Sequence, residues 1–349
     1  MSKNLAVIIS PNYKDYATTY LVECLDSLKL QSYQDFTVYM VDNETTEESY
    51  RFLKNAAPEA QIIRCVKNEG FAGGNNRALE DVLKNNYQYV FLVNMDTISE
   101  VDCLEKLIET MHTHPEAGAI QARLMLYPKT DLINSIGNET HFLGFGYSKG
   151  YQEKFSEIYN SIQEITYPSG AAVLLRVAAL KEVGLFDEEM WMYNEDQDLG
   201  WRLWLAGYQC LIAPQAIVYH KYEFSRSIQK YYWMDRNRII TILKNYYWLT
   251  LVLIIPAFIV MEGGLVLFSI QSGWFKEKLD VWKYFLSLKN WQLILKKRHQ
   301  IQRTRKLPEK KILSLITGKI WYQEIGSWKL KVANPIFELY WFIVRALII

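Results

Sequence analysis

Three carboxylates within four positions open the most chemically loaded stretch of the chain, Trp191-Met192-Tyr193-Asn194-Glu195-Asp196-Gln197-Asp198-Leu199-Gly200-Trp201-Arg202. Acids this close at a helix start repel one another, which raises the pKa of at least one of them. Asp196, in the first turn, then has the character of a general base for a hydroxyl. Asp198 and Arg202 stand four apart and read as an ion pair that fixes the helix. The plainer alternative is that the cluster only complements the helix dipole. Two further carboxylates follow short apolar runs. Asp42, after Phe36–Val41, can accept the N3–H of a uracil or thymine ring, or else start a turn. Asp96, in Asn94-Met95-Asp96, offers the hard oxygen that Mg²⁺ or Mn²⁺ takes when it bridges to phosphates. His220 closes a later run, and a neutral imidazole there could complete the metal shell or touch a departing diphosphate. Between Asp42 and Asp96 lies Asn68-Glu69-Gly70-Phe71-Ala72-Gly73-Gly74-Asn75-Asn76. Glycines ahead of a helix let backbone amides approach a phosphate. A glycine-rich turn without a ligand has the same composition.

The elements that must position these residues alternate. Leu5–Ile9 reads as a buried parallel strand, and Phe36–Val41, Gln61–Val66 and Tyr89–Val93 as three further strands. Helices intervene: Leu21, Cys24, Leu25 and Leu28 recur at helical spacing, Thr45-x-x-Glu48 reads as a capping box, and Asn75–Lys84 as a third helix. Strands alternating with helices mean a doubly wound, mostly parallel sheet, whose ligand sits outside the carboxyl ends of the strands. Asn12, Asp42, Asn68 and Asp96 all fall at those ends. Thr130–Ile165 loses periodicity and reads as long loops near the site that grip an acceptor. Tyr167–Leu175 then reads as a strand and Asn194–Ala206 as a helix stopped by Gly207.

A chain of 349 residues exceeds the usual single core, so two regions are expected, 1–230 and a helical 231–349. From Lys276 onward there are 16 basic and 5 acidic residues, a balance of +11 against −10 for the rest. Such a tail faces an anionic surface. Tyr246–Phe275 is apolar enough to cross a bilayer, or to re-enter it as a hairpin turning at Gly263-Gly264; a buried helical hairpin is the soluble alternative. Trp274, Trp282 and Trp291 look interfacial, and Ile336–Ile349 reads as a second membrane-contacting helix. Lysines interleaved with membrane-type aromatics, without a binding motif, argue against a nucleic-acid partner. The four cysteines form no CxxC pair, which argues against zinc and against a disulfide framework. Met1–Asn4 leads straight into the first strand without a leader, placing the body in the cytosol.

The series Ser10-Pro11-Asn12-Tyr13, Val41-Asp42-Asn43, Asn68–Asn76, Asn94-Met95-Asp96-Thr97, Ser169-Gly170-Ala171-Ala172, Gly184–Glu188, Tyr193–Leu199, His220 and Arg236-Asn237 resembles the family 2 glycosyltransferases, across about two-thirds of the chain. The resemblance implies the GT-A fold, Rossmann-like, followed by a membrane-associated helical region. It implies inverting sugar transfer, supported by Mg²⁺ or Mn²⁺, from a nucleotide-diphosphate donor to a glycan or lipid-linked hydroxyl on the cytosolic face of the cell membrane. On the donor side it would place Asn12, Asp42, Asn68, Gly73, Gly74, Asn75, Asn94 and Asp96, Asn94 standing where the family's DxD signature has its first acid. The metal would fall to Asp96 and His220, catalysis to Asp196, and the acceptor to Ser169, Gly170, Trp191 and Glu195. Rhamnosyltransferase-like members look similar through the Arg236-Asn237 helix and the apolar tail, pointing to dTDP-rhamnose or a UDP-sugar in bacterial cell-surface polysaccharide synthesis. A nucleotidyltransferase would carry a glycine-rich basic loop after the first strand, unlike Ser10-Pro11-Asn12-Tyr13; the remaining rival is an inactive membrane-associated partner subunit.

Overall fold

The computed structural model describes residues 4–222, 228–320 and 328–348; Met1–Lys3 and Ile349 of the segments named above fall outside them. The strands are β1 (Leu5–Asn12), β2 (Phe36–Asn43), β3 (Gln61–Cys65), β4 (Tyr89–Val93), β5 (Thr97–Ser99), β6 (Ala117–Leu126), β7 (Ile133–Ser135), β8 (Asn138–Thr140), β9 (Gly146–Ser148), β10 (Gln163–Glu164), β11 (Ala172–Arg176) and β12 (Gln209–His220). The helices are α1 (Tyr16–Lys29), α2 (Glu47–Ala56), α3 (Gly70–Lys84), α4 (Cys103–Thr113), α5 (Val177–Val183), α6 (Glu195–Leu205), α7 (Gln229–Asn245), α8 (Trp248–Gln271), α9 (Phe275–Leu286), α10 (Leu288–Thr304), α11 (Glu309–Leu313) and α12 (Trp328–Leu347).

The main sheet runs β10-β12-β6-β11-β4-β1-β2-β3, with β5 beside β12 and β7 beside β6. β1 to β4 are parallel, and β11 inserts antiparallel between β4 and β6. Two reversals restore direction, so β6 and β12 end on the same edge as β4. The sheet is therefore mixed, as in the GT-A architecture. Alternation within β1 explains why its whole run is apolar: Leu5, Val7 and Ile9 join a core with α1 and α4, while Ala6 and Ile8 join one with α3, α5 and α6.

Several boundaries differ from the sequence reading. The strand expected over Tyr167–Leu175 starts only at Ala172. Pro168 has no N–H to give a ladder, and Gly200 of α6 packs where a Cβ would come within 2.4 Å of Tyr167 Cβ. Helix α3 begins at Gly70, five residues before the expected Asn75. Glycine's poor helix propensity hid this start. A Cβ on Gly74 would meet Pro11 at 2.5 Å, so close packing against the end of β1 decides the residue type. The cap of α2 is Thr46, accepting from Ser49 N, rather than Thr45, whose hydroxyl goes to Asp42. Thr130–Ile165 contains four short strands. Much of it cradles the C-terminal helices rather than standing open: Phe142 stacks on Trp341 at 5.0 Å and His141 Nε2 meets the Gly318 carbonyl. Finally, α8 passes through Gly263 and Gly264 without turning, which removes the re-entrant hairpin. Trp274, expected at an interface, is buried against Tyr231.

Candidate active site

The carboxyl edge of the sheet gathers residues far apart in sequence. Asp42 closes β2 opposite Asn12 of β1. Asp96 follows β4, and the start of β11 lies against the end of β4, Ala172 opposite Val93. The Asn94 amide donates to the Ala171 carbonyl at 2.9 Å, and the Gly170 amide reaches Asp196 Oδ2 at 3.4 Å. Asp196 thus stands on the same edge as Asp96, linked through the Ser169–Ala171 turn. His220 ends β12 beside Thr97 and completes the group.

Asp96 is held from two sides. Tyr16 donates its hydroxyl to Oδ2 at 2.7 Å, and His220 Nε2 lies 3.3 Å from Oδ1. Burial opposes the charge of Asp96, but the contacts to His220 and Tyr16 outweigh it and keep its pKa below the usual carboxylate range. His220 Nδ1 meets Asn134 Oδ1 at 2.9 Å. With the proton on Nδ1, the Nε2 lone pair points at a carboxylate oxygen, an arrangement that requires a cation or a proton between them. Two ligands of an octahedral ion at adjacent corners stand about 3 Å apart, close to the 3.3 Å seen here. The donor set therefore fits a divalent ion. Among the described residues no cluster of three or more His, Cys, Asp or Glu side chains forms, so phosphate and water oxygens would fill the remaining positions.

Three buried acceptor atoms at this edge have no hydrogen bond from the described protein: Asp42 Oδ2, Asn94 Oδ1 and Glu195 Oε2. Asp42 Oδ2 lies 3.0 Å from Arg64 Nε, but not aligned as a hydrogen bond. Buried acceptors without donors are uncommon, and each is a place where a ligand's O–H or N–H group would be satisfied. Asn12, by contrast, is fully buried with both ends used, donating to Ser49 and accepting from the Ala17 amide. Its side-chain oxygen holds the Ala17 amide in the first turn of α1. In the glycine-rich segment three amides at the start of α3 have partners within the protein: Glu69 donates to Asn43, Gly70 to Asn68 and Ala72 to the Trp191 carbonyl. Gly73 and Gly74 sit inside the helix, and Asn75 bonds back to the Phe71 carbonyl. This segment also joins the two halves of the site, since a Cβ on Gly70 would strike Trp191 and one on Gly170 would press Phe71.

Helix α6 carries the acidic cluster. Asp196 Oδ1 accepts its neighbour Gln197's amide at 2.7 Å. Desolvation pushes Asp196 up to about 6 despite that bond. Burial, then the charge of Asp196, pushes Glu195 up to about 8. Asp198 is different: burial disfavours its charge, but Lys244 at 2.9 Å and Arg202 at 2.8 Å reverse the effect and hold it low. The approach to α6 is strained, with positive φ at Trp191 (60°), Tyr193 (68°) and Asn194 (64°). Asn237 of α7 holds it, its Nδ2 donating to the carbonyls of Met190, Met192 and Tyr193 at 2.7–2.9 Å. Arg236 grips the Glu189 carbonyl beside it. Trp191 stacks on Trp233 of α7 at 4.9 Å. Asn237→Ala releases all three carbonyls from a loop that is costly to hold. The expected result is a kcat lowered up to about 10²-fold with little change in donor KM, because the base is misplaced rather than removed. Steady-state kinetics on the purified variant measure this split.

Tyr16, Asn134, Arg64 and Asn237 are contributors that spacing alone did not mark. Only Asn237 had a sequence signal, its place beside Arg236 in the matching series.

A mixed sheet flanked by helices, with acids and an imidazole at its carboxyl edge, is a GT-A-like architecture. Residues 7–184 match the family model described as Glycosyl transferase family 2, and the chain belongs to that family. It is a glycosyltransferase. Among curated relatives, it is 25% identical over 221 residues to an N-acetylglucosaminyl-diphospho-decaprenol L-rhamnosyltransferase of Mycobacterium tuberculosis, covering 58% of this chain and 71% of that one. It is 27% identical over 175 residues to the poly-beta-1,6-N-acetyl-D-glucosamine synthase of Staphylococcus epidermidis, covering 50% of this chain and 39% of the synthase. Among solved structures, Staphylococcus aureus TarS 1–349 in complex with UDP superposes over 98% of this chain and 90% of that one, with TM-score 0.51 and 18% identity. GalNAc-T7 with UDP, GalNAc and Mn²⁺ superposes over 69% of this chain and 47% of that one, with TM-score 0.53 and 11% identity. Both likenesses speak to the fold.

Proposed function

We propose that this enzyme transfers a sugar, with inversion, from a UDP- or dTDP-sugar to a hydroxyl of a glycan or lipid-linked acceptor in cell-surface polysaccharide synthesis. It does so at the cytosolic face of the membrane. The observation that carries the reading is the set of donorless buried acceptors, Asp42 Oδ2, Asn94 Oδ1 and Glu195 Oε2, on the edge that also holds Asp96, His220 and Asp196. Asp42 takes the N3–H of the base and Asn94 a ribose hydroxyl. Asp96 and His220 would hold a divalent ion, Mg²⁺ or Mn²⁺, which when bound would supply charge neutralisation for the leaving diphosphate. Asp196 removes the proton of the attacking hydroxyl, while Glu195, Trp191 and the Ser169-Gly170 turn bound the acceptor side. Asn12, Asn68, Gly73, Gly74 and Asn75 shape the donor side through packing. The region from 231 onward positions α6 and faces the membrane; 1–230 binds both substrates. The name of the mycobacterial relative favours rhamnose and a lipid diphosphate acceptor.

A thermal-shift panel of dTDP-rhamnose, UDP-glucose and UDP-N-acetylglucosamine, each with Mn²⁺, Mg²⁺ or EDTA, tests this. At 100 times Kd a bound donor stabilises the fold by about 2.7 kcal/mol. One donor should raise the midpoint, with the shift lost in EDTA and in Asp96→Asn. A flat response to every nucleotide sugar overturns the reading.

A further inference from the structure

The charge inside α8 decides how that helix meets a bilayer. Among the described residues α8 alone is long and apolar enough to cross a membrane. Yet Glu262, past its midpoint, is ion-paired to Lys278 of α9 at 2.6 Å and to Arg238 of α7. Asp235 of α7 pairs with the same two cations, at 2.7 and 2.6 Å. Arg238 and Lys278 are almost wholly buried among these partners. Near the start of α8, Thr250 donates to Glu309, which also accepts the Tyr247 amide. Near its end, Phe268 meets the rings of Tyr231 and Trp274. The helix is strapped to the body at both ends and in the middle. A spanning pose needs about 20 residues at hydrocarbon depth, and here it would drag Asp235, Arg238, Lys278 and Glu262 there too.

The outer faces are bare hydrocarbon. Val252, Ile259, Val260 and Leu267 of α8 are each 60–68% exposed. Tyr340 of α12 donates its hydroxyl to the Leu253 carbonyl, so α12 lies against α8. Its Ile336, Leu339, Phe342 and Ile343 are half or more exposed, while Phe337, Trp341 and Val344 face inward. On α9, exposed Leu279 and Leu286 share a stripe with exposed Lys276 and Lys283. That mixture suits an anionic headgroup layer with acyl chains beneath it, and not a protein partner's dry apolar surface.

The geometry points to an in-plane seat, an inference that rests on the membrane reading proposed above and specifies it. α8 and α12 lie flat along an anionic bilayer with their outer faces sunk into the acyl boundary, and the exposed lysines Lys276 and Lys283 of α9 and Lys289 and Lys296 of α10 contact headgroups. No part of α8 crosses.

The test uses the full chain with a fluorophore at Val252→Cys, Ile259→Cys, Leu267→Cys or Leu339→Cys, one at a time. The four native cysteines are all buried, so labelling is selective. With phosphatidylglycerol-containing vesicles and lipid quenchers of graded depth, all four sites should report one shallow depth, about 5–10 Å below the headgroups. A depth that peaks midway along α8 means a span and overturns the in-plane seat alone. No quenching at any site overturns the membrane reading itself, as does a dimer in solution that Ile259→Glu dissociates. Val252→Glu/Ile259→Glu/Leu267→Glu should leave the vesicles yet keep the donor-induced thermal shift; retention on the vesicles overturns the seat.

Discussion

Asp196→Asn abolishes sugar transfer, lowering kcat by about 10²–10⁴-fold, the usual weight of a positioned general base, while the donor-induced thermal shift persists. Asparagine keeps the size of the side chain and an oxygen for the Gln197 amide, 2.7 Å away in the parent, but cannot take a proton. The parent's rate should rise with pH through about 6, where desolvation has moved the carboxyl, and then level off. In the variant that limb disappears. Loss of folding is not an alternative explanation, as the sign of the linkage shows. Asp196 and Glu195 both titrate above their ordinary values, so the folded state resists their ionisation, and its stability declines as pH rises through those values. Removing one of two crowded carboxylates should therefore leave the variant at least as stable as its parent at pH 7. Normal turnover in this variant would take the base role away from Asp196.

The acidic cluster was legible because residue type and spacing are sufficient to predict its electrostatics: repulsion across Glu195 and Asp196, and the Asp198–Arg202 pair at 2.8 Å. The alternation of strands and helices placed Asp42 and Asp96 at one edge for the same reason, since period and punctuation are local properties. What stayed hidden depends on partners far away in the chain. Gly73 and Gly74 have the look of a phosphate loop, but Pro11 and Glu69 decide their use. Nothing near Asn134 or Tyr16 indicates that one orients His220 and the other bonds Asp96, since those contacts span 86 and 80 positions. The antiparallel insertion of β11 is equally a matter of tertiary pairing, and it is what carries the Ser169–Ala171 turn to Asp96's side of the sheet. Glu262 stands inside the apolar helix α8. Its partners on α7 and α9 make it a fastening.

Lys244→Met should destabilise the fold by about 3–5 kcal/mol, the cost of leaving buried carboxylates without their cation. Lys244 is 1% exposed and its ammonium bridges Asp187 Oδ2 at 2.5 Å and Asp198 Oδ1 at 2.9 Å. Arg202 and Asn245 remain on Asp198, and Lys297 remains on Asp187, so the loss is partial rather than total. Burial alone would raise both carboxyls. The lysine charge is what turns both shifts downward, Asp187's together with Lys297 and Asp198's together with Arg202. A depressed folded-state pKa contributes stability that is present above the unfolded value, about 4, and is lost as pH falls below it. The gap between variant and parent in thermal unfolding should therefore hold from pH 7 down to about 4 and narrow only as pH falls below that. A variant within about 1 kcal/mol of its parent at pH 7 would mean that the network adds no net stability. The same lysine is the only ammonium that touches both the turn holding Asp187 and the helix holding Asp196, among the described residues. A defect in this variant should thus appear in kcat as well as in unfolding, because α7 both closes the charge cluster and, through Asn237, holds the strained approach to α6.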